Sequence, residues 1–253
     1  MTIAALHRYP VKGLSPEPLS RVTLQAGAFF PCDRLFAIEN GRSSFDEAAP
    51  AYQPKTRFLM LMKNARLAQL ASRYDEATHV LSISYRGEEM VRGDLRSEAG
   101  RAEVERSVAE FCADEMRGPL RLLSAPEGFR FTDSIRAGFV SLLNLASVLD
   151  LERRLGRPVN PLRFRANIAV EGWDAWLEEG LVGRRLAIGD VRLKVLKPID
   201  RCPATHVEPH TGERDLDIMA TLQSAFGHLH CGIYASVIAG GEIAVGDTLR
   251  ILD

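Results

Sequence analysis

Two apolar runs, 184–188 and 191–196, are separated by Gly189-Asp190, a two-residue turn whose glycine supplies the positive φ that a tight β-hairpin requires. Gly240-Gly241 and Gly246-Asp247 repeat that turn chemistry near the C-terminus. Short strands joined by glycine turns predict a small barrel or a strongly bent sheet, not a doubly wound one. Runs 3–9, 34–39 and 79–85 also have strand composition, and the polar stretch 41–53 reads as a long loop. From Gly100, the spacing of Val104, Val108, Phe111 and Cys112 predicts a helix. A second helix is expected over 141–155, with Leu142, Leu145, Leu149 and Leu155 facing a core and Gly156 after its end. Residues 163–170 read as a strand that sets Arg163, Arg165 and Asn167 on one face and Phe164, Ala166 and Ile168 on the other. The fold class is therefore mainly β with flanking helices, an α+β chain.

With 253 residues, 46% of them hydrophobic, the chain can bury one large core or two small ones, and two domains are the natural expectation. Its 32 basic and 33 acidic residues give a net charge of -1, so nothing general in the charge points to nucleic acid or an anionic membrane as partner. No apolar run is long enough to span a bilayer, and no basic region precedes an apolar one at the start, so a cytoplasmic location is expected. Cys32, Cys112, Cys202 and Cys231 are far apart and form no Cys-x-x-Cys pair, which argues against a zinc ribbon, a disulfide framework or a built-in iron-sulfur cluster.

The stretch 200–215 carries the most chemistry. Cys202 stands between Arg201 and Pro203 just beyond a strand-like run, and a neighbouring cation favours thiolate, the form that attacks electrophiles, carries sulfur or ligates a soft metal. His206 has an ordinary titration range suited to moving protons near neutrality. His210, His228, His230 and Cys231 suggest zinc. That reading is set aside here because an extended 228–231 segment would point its side chains to alternating faces.

Several stretches in order resemble the MOSC family, named for the C-terminal domain of molybdenum cofactor sulfurases and including the mitochondrial amidoxime-reducing component. Tyr9-Pro10-Val11-Lys12-Gly13-Leu14 and Cys32-Asp33-Arg34-Leu35-Phe36-Ala37-Ile38 resemble the opening of its N-terminal β-barrel domain. Arg163-Phe164-Arg165-Ala166-Asn167 resembles its FRPN-type segment, and the Cys202 stretch resembles its RC-A-T-V-P-T-G-RD pattern. Phe226-Gly227-His228, Cys231-Gly232-Ile233-Tyr234-Ala235 and Ile243-Ala244-Val245-Gly246-Asp247 resemble the closing strands.

The resemblance implies a MOSC β-barrel at 119–253 and an N-terminal β-barrel-like domain at 1–118. It implies the molybdenum cofactor (molybdopterin), with Cys202 as the metal ligand and Lys12, Gly13, Arg34, Arg163, Arg165 and Asn167 toward the pterin and phosphate. Gly13 replaces the serine of some members and offers its backbone amide in place of a hydroxyl. Asp200, Arg201, Thr205 and His206 would surround the ligand. The implied activity is reduction of small N-hydroxylated compounds. Electrons would come from a separate flavoprotein, iron-sulfur or haem carrier, because no cysteine cluster or Gly-rich dinucleotide fingerprint is present. Two alternatives stay open: a carrier in which Cys202 bears a persulfide, and a cofactor store.

Overall fold

The computed structural model describes residues 1–41, 45–132 and 138–252. Its strands in the first half are β1 (Thr2–Arg8), β2 (Glu17–Leu19), β3 (Arg21–Leu24), β4 (Phe36–Asn40), β5 (Leu70–Asp75), β6 (Val80–Tyr85) and β7 (Glu88–Asp94). Helix α1 (Glu98–Phe111), strands β8 (Leu120–Ser124) and β9 (Val140–Asn144), helix α2 (Leu145–Leu155) and strand β10 (Ile168–Glu171) follow. Then come β11 (Arg185–Ile188), β12 (Val191–Asp200), helix α3 (Ile218–Phe226), β13 (His230–Ala239), β14 (Gly241–Ala244) and β15 (Leu249–Leu252). The chain is mostly β, as expected.

One eight-stranded sheet, in the order β15-β11-β12-β13-β9-β10-β1-β2, curls into a half-barrel. Its concave side is filled by Ile3, Leu6, Leu142, Ile168, Leu186, Leu193 and Ile233, each at most 1% exposed. At about 25 cal/mol per Å² of apolar surface removed from water, such side chains each contribute about 1.5–3 kcal/mol. A second core lies among β4, the three-stranded sheet β5-β6-β7 and α1, where Val104, Val108 and Cys112 are buried at helical spacing as expected. Ser97 starts α1 by accepting from the Gly100 amide.

The expected units 1–118 and 119–253 share their sheets. β1 pairs with β10, β3 with β14, and β4 with β8. The N-terminal strands therefore deliver the loops after β1 and before β4 to the rim of the half-barrel.

The β11–β12 hairpin is present, with Ile188 opposite Val191 across Gly189-Asp190. Elsewhere the structure departs from the expectations. Residues 140–144 form β9, a buried strand, so the helix expected over 141–155 begins only at Leu145, capped by the Asn144 side chain. Leu142 faces the sheet core while Leu149 is 51% exposed. A strand running directly into a helix had merged two apolar periods into one. Gly156 does end α2 in the left-handed conformation. β14 pairs with β3 and β15 with β11, so neither Gly240-Gly241 nor Gly246-Asp247 closes a hairpin between its flanking strands. Of the loop expected at 41–53, residues 42–44 lie outside the described residues; 45–53 carry no helix or strand.

Candidate functional site

The strand expected at 163–170 exists only from Ile168. Asn160 caps a 3₁₀ turn, Pro161–Phe164, through the Leu162 amide, and Arg165 then takes a left-handed φ of 51°. Proline at the first turn position and an Asn cap favour this turn over extension. Arg163, Arg165 and Asn167 nevertheless reach the same cavity, but by separate routes.

That cavity, about 360 Å³, lies between the half-barrel rim and the loops of the N-terminal half. The loop after β1 supplies Lys12 and Gly13. At Gly13, φ is 88° and a Cβ would stand 3.0 Å from the Leu59 carbonyl, so the close approach requires glycine. Arg34 also has a left-handed φ, 50°, and its amide donates to the Tyr9 carbonyl at 2.7 Å. Its guanidinium pairs with Asp33 and donates to the Arg165 carbonyl at 2.9 Å. Burial works against this charge, yet Asp33 prevails and the net effect raises the Arg34 pKa.

Arg34 and Arg165 both place their guanidinium carbon over the Tyr9 ring, at 4.7 and 4.2 Å. Tyr9 is buried and its hydroxyl has no hydrogen-bond partner among the described residues. Burial pushes that hydroxyl up to about 12 against the lowering influence of Arg165, Arg34 and Arg201. Arg165 is further held by the Leu14 carbonyl at 2.7 Å.

Strand β12 ends at Asp200 and Cys202 heads the 3₁₀ turn Pro203–His206. The Thr205 amide and hydroxyl both donate to the Cys202 carbonyl at 3.0 Å, anchoring the backbone under a half-buried thiol that lines the cavity. The other three cysteines do not line it. Burial pushes Cys32 and Cys231 up to about 12 and Cys112 to about 11, so they stay protonated. Arg201 donates to the Cys231 carbonyl and, at 2.8 Å, to the Phe164 carbonyl, fixing it beside the Cys202 turn. Burial lowers its pKa, partly offset by Cys231, Tyr234 and Cys202; guanidinium remains charged regardless.

Lys12, Gly13, Arg34, Arg163, Arg165, Asn167, Asp200, Arg201, Cys202 and Thr205 all line the cavity. Two of them have much of their polarity engaged elsewhere. Asn167 accepts from the Ser141 amide and hydroxyl at 3.1 and 2.8 Å and donates to the His7 carbonyl at 3.2 Å, stapling β9 to β1. Arg163, with a side chain only 2% exposed, donates to Asp215 at 2.7 Å and to the His206 carbonyl at 2.9 Å. It braces the Cys202 turn from behind. His206 is not brought into the cavity lining: its Nε2 accepts from the Met219 amide at 3.4 Å and faces Asp217, and burial lowers its pKa.

Lys55, Lys197, Thr132, Phe139 and Tyr234 line the cavity without having been singled out in the sequence. Lys197 left a signal, being a charge at the parity of Val191, Leu193, Val195 and Ile199, and the β12 register shifts between Val195 and Lys197. Among the described residues, seven Lys and Arg residues line the cavity against two Asp, in a chain of net charge -1. With one accessible thiol, this arrangement suits an anionic ligand that carries a soft metal.

The family model described as MOSC domain matches residues 136–250, and that described as MOSC N-terminal beta barrel domain matches residues 1–118. Mitochondrial amidoxime-reducing component 1 of Mus musculus is 33% identical over 139 residues, 49% of this chain and 40% of that protein. Mitochondrial amidoxime reducing component 2 of Rattus norvegicus is 33% identical over 129 residues, 45% of this chain and 37% of that protein. Molybdenum cofactor sulfurase of Caenorhabditis elegans is 34% identical over 84 residues, 32% of this chain and 12% of that protein. The matched stretch thus spans less than half of each of these relatives.

Proposed function

The chain belongs to the MOSC family, and from that premise we propose that it binds the molybdenum cofactor in the Cys202 cavity and acts as an oxidoreductase on small N-hydroxylated compounds. The observation that carries this reading is the cavity itself: seven cationic residues and one half-buried thiol line a space of about 360 Å³. The donor set fits the group. Cys202 supplies the soft sulfur that a molybdenum–dithiolene centre prefers over a carboxylate, while Arg34, Arg165 and Lys12 supply fixed cations for the phosphate and pterin edge. When bound, the cofactor supplies a metal that exchanges electron pairs and accepts oxygen.

The chain's own residues prepare that chemistry. Arg34 and Arg165 are held over Tyr9 and by backbone carbonyls, so little conformational freedom is left to lose on binding. Arg163 and Thr205 brace the turn that presents Cys202. Lys55 and Lys197 extend the positive lining. Electrons are proposed to arrive from a separate flavoprotein, iron-sulfur or haem carrier, since the four cysteines stand apart and three are buried or partly buried away from the cavity. The reading places the reaction in the cytoplasm. Among the described residues, no helix is long and apolar enough to cross a membrane.

The test is turnover of an amidoxime by protein made in a cofactor-competent host, with reduced viologen as donor. The expected result is substrate-dependent viologen oxidation that Cys202→Ser abolishes while the fold survives. Cofactor retained without turnover under any donor would favour a carrier or store, and a Cys202 persulfide without molybdenum would favour a sulfur carrier.

A further inference from the structure

Behind the cavity, on the far side of Asp200, lies a second group of ligating side chains. Glu179 comes from the 3₁₀ turn Leu177–Leu181, His228 from the link after α3, and His230 opens β13. One ligand atom from each lies within 4.8 Å of the others, and all three residues are partly buried. The His228 and His230 rings face each other at 5.3 Å between centroids with only 16° between planes. The alternation expected of an extended 228–231 segment does not separate them, because residues two apart share a side; it is Cys231 that turns away, into the core. Cys231 and the exposed His210 are thereby removed from the zinc set suggested by the sequence, and Glu179 enters it.

We infer that Glu179, His228 and His230 form a binding site for a divalent transition cation of the zinc class. Two imidazoles and a carboxylate are a common three-ligand set for zinc, with water in the fourth position. Two further observations support it. Glu179 Oε1 is buried with no hydrogen-bond partner among the described residues, an unsatisfied acceptor that a cation would answer. His230 Nδ1 lies 3.1 Å from Glu179 Oε2, while its Nε2 lies 3.3 Å from Asp200 Oδ1. A carboxylate on the second ring nitrogen is the usual device for orienting a metal-bound histidine. Trp176 and Phe226, with ring centroids 5.3 and 6.0 Å from that of His228, form an apolar wall. The cation would fix His230 and, through Asp200, the residue at which β12 gives way to Arg201 and Cys202. It is a site separate from the thiol, with no sulfur in its ligand set.

The experiment titrates the metal-stripped full chain with Zn²⁺ against a chromophoric chelator and, in parallel, with Co²⁺ followed by absorption. One tight equivalent is expected in the wild type and equally in Cys202→Ser, with a cobalt spectrum free of sulfur charge-transfer bands. Glu179→Gln and His228→Ala should each weaken binding by roughly 100-fold or more, and Asp200→Asn by roughly 10- to 100-fold. Absence of binding in the wild type would overturn the site, as would binding indifferent to Glu179→Gln, or lost in Cys202→Ser. Should His228→Ala fail to fold, Glu179→Gln and the wild-type cobalt spectrum decide the matter unaided.

Discussion

The β11–β12 hairpin and the rim of the cavity are built in opposite ways. The hairpin pairs four residues a side in unbroken register, its inward side chains Leu186, Ile188, Val191 and Leu193 are fully buried, and its left-handed residue at the turn is a glycine. The rim holds Arg34 and Arg165 in left-handed backbone, each costing about 1–2 kcal/mol relative to an ordinary conformation, and crowds their guanidiniums over one tyrosine. One region supplies stability and the other holds strained backbone and crowded like charges at the edge of a cavity. Strain of that kind persists only where rigid surroundings impose it.

Substitutions should separate the two regions cleanly. The largest effect on the fold is expected from Leu193→Ala, which empties a fully buried position and should cost about 2–5 kcal/mol in denaturant unfolding. Ligand affinity of the folded fraction should not change; a large drop would mean the regions are coupled. Arg165→Ala should do the converse. Removing charge-assisted hydrogen bonds worth about 1.5–3 kcal/mol each should weaken cofactor retention roughly 10- to 100-fold. Arg165→Gly should lose the ligand equally yet be about 1 kcal/mol more stable than Arg165→Ala, because glycine accepts the φ of 51°. Equal stability of the two variants would show that the backbone there is unstrained.

Gly189→Ala should cost about 1 kcal/mol with no effect on the ligand, since its φ is 52° and no neighbour lies within 4 Å of the added methyl. The smallest effect concerns Glu178, fully buried behind α2 and accepting from Asn144 Nδ2 at 2.7 Å and Ser147 Oγ at 2.8 Å. Burial raises its pKa above the ordinary 4.5, outweighing those hydrogen bonds. The fold therefore favours the protonated form, and that stabilisation is complete below the ordinary value and lost as pH rises through the raised one. Wild type should lose stability relative to Glu178→Gln across that window, measured by urea midpoints at several pH values; the reverse trend would mean the hydrogen bonds prevail.

The same contrast governs what could be read from sequence. Alternation and a glycine turn state the hairpin, and i, i+4 spacing states α1, because in both the local period and the buried face agree. The Cys202 segment was legible as a motif, and its place beyond a strand is where the chain puts it. The 163–167 stretch was not, since a capped proline turn and a left-handed arginine override an alternation that looked extended. Roles that depend on distant partners left no local trace: the Arg163 pair with Asp215, the Asn167 staple to His7, and the turning of His206 toward α3. Nor does a strand passing into a helix without a loop, as at Asn144, announce its boundary.

The central claim is that the cation-lined cavity around Cys202 holds the molybdenum cofactor. Its most direct test is the molybdenum and pterin content of wild-type protein purified from a cofactor-competent host, measured beside Arg165→Ala. The account predicts molybdenum and pterin in matching, near-stoichiometric amounts in the wild type and a marked loss of both in the variant. Wild-type protein free of both, or equal content in the two proteins, would contradict it.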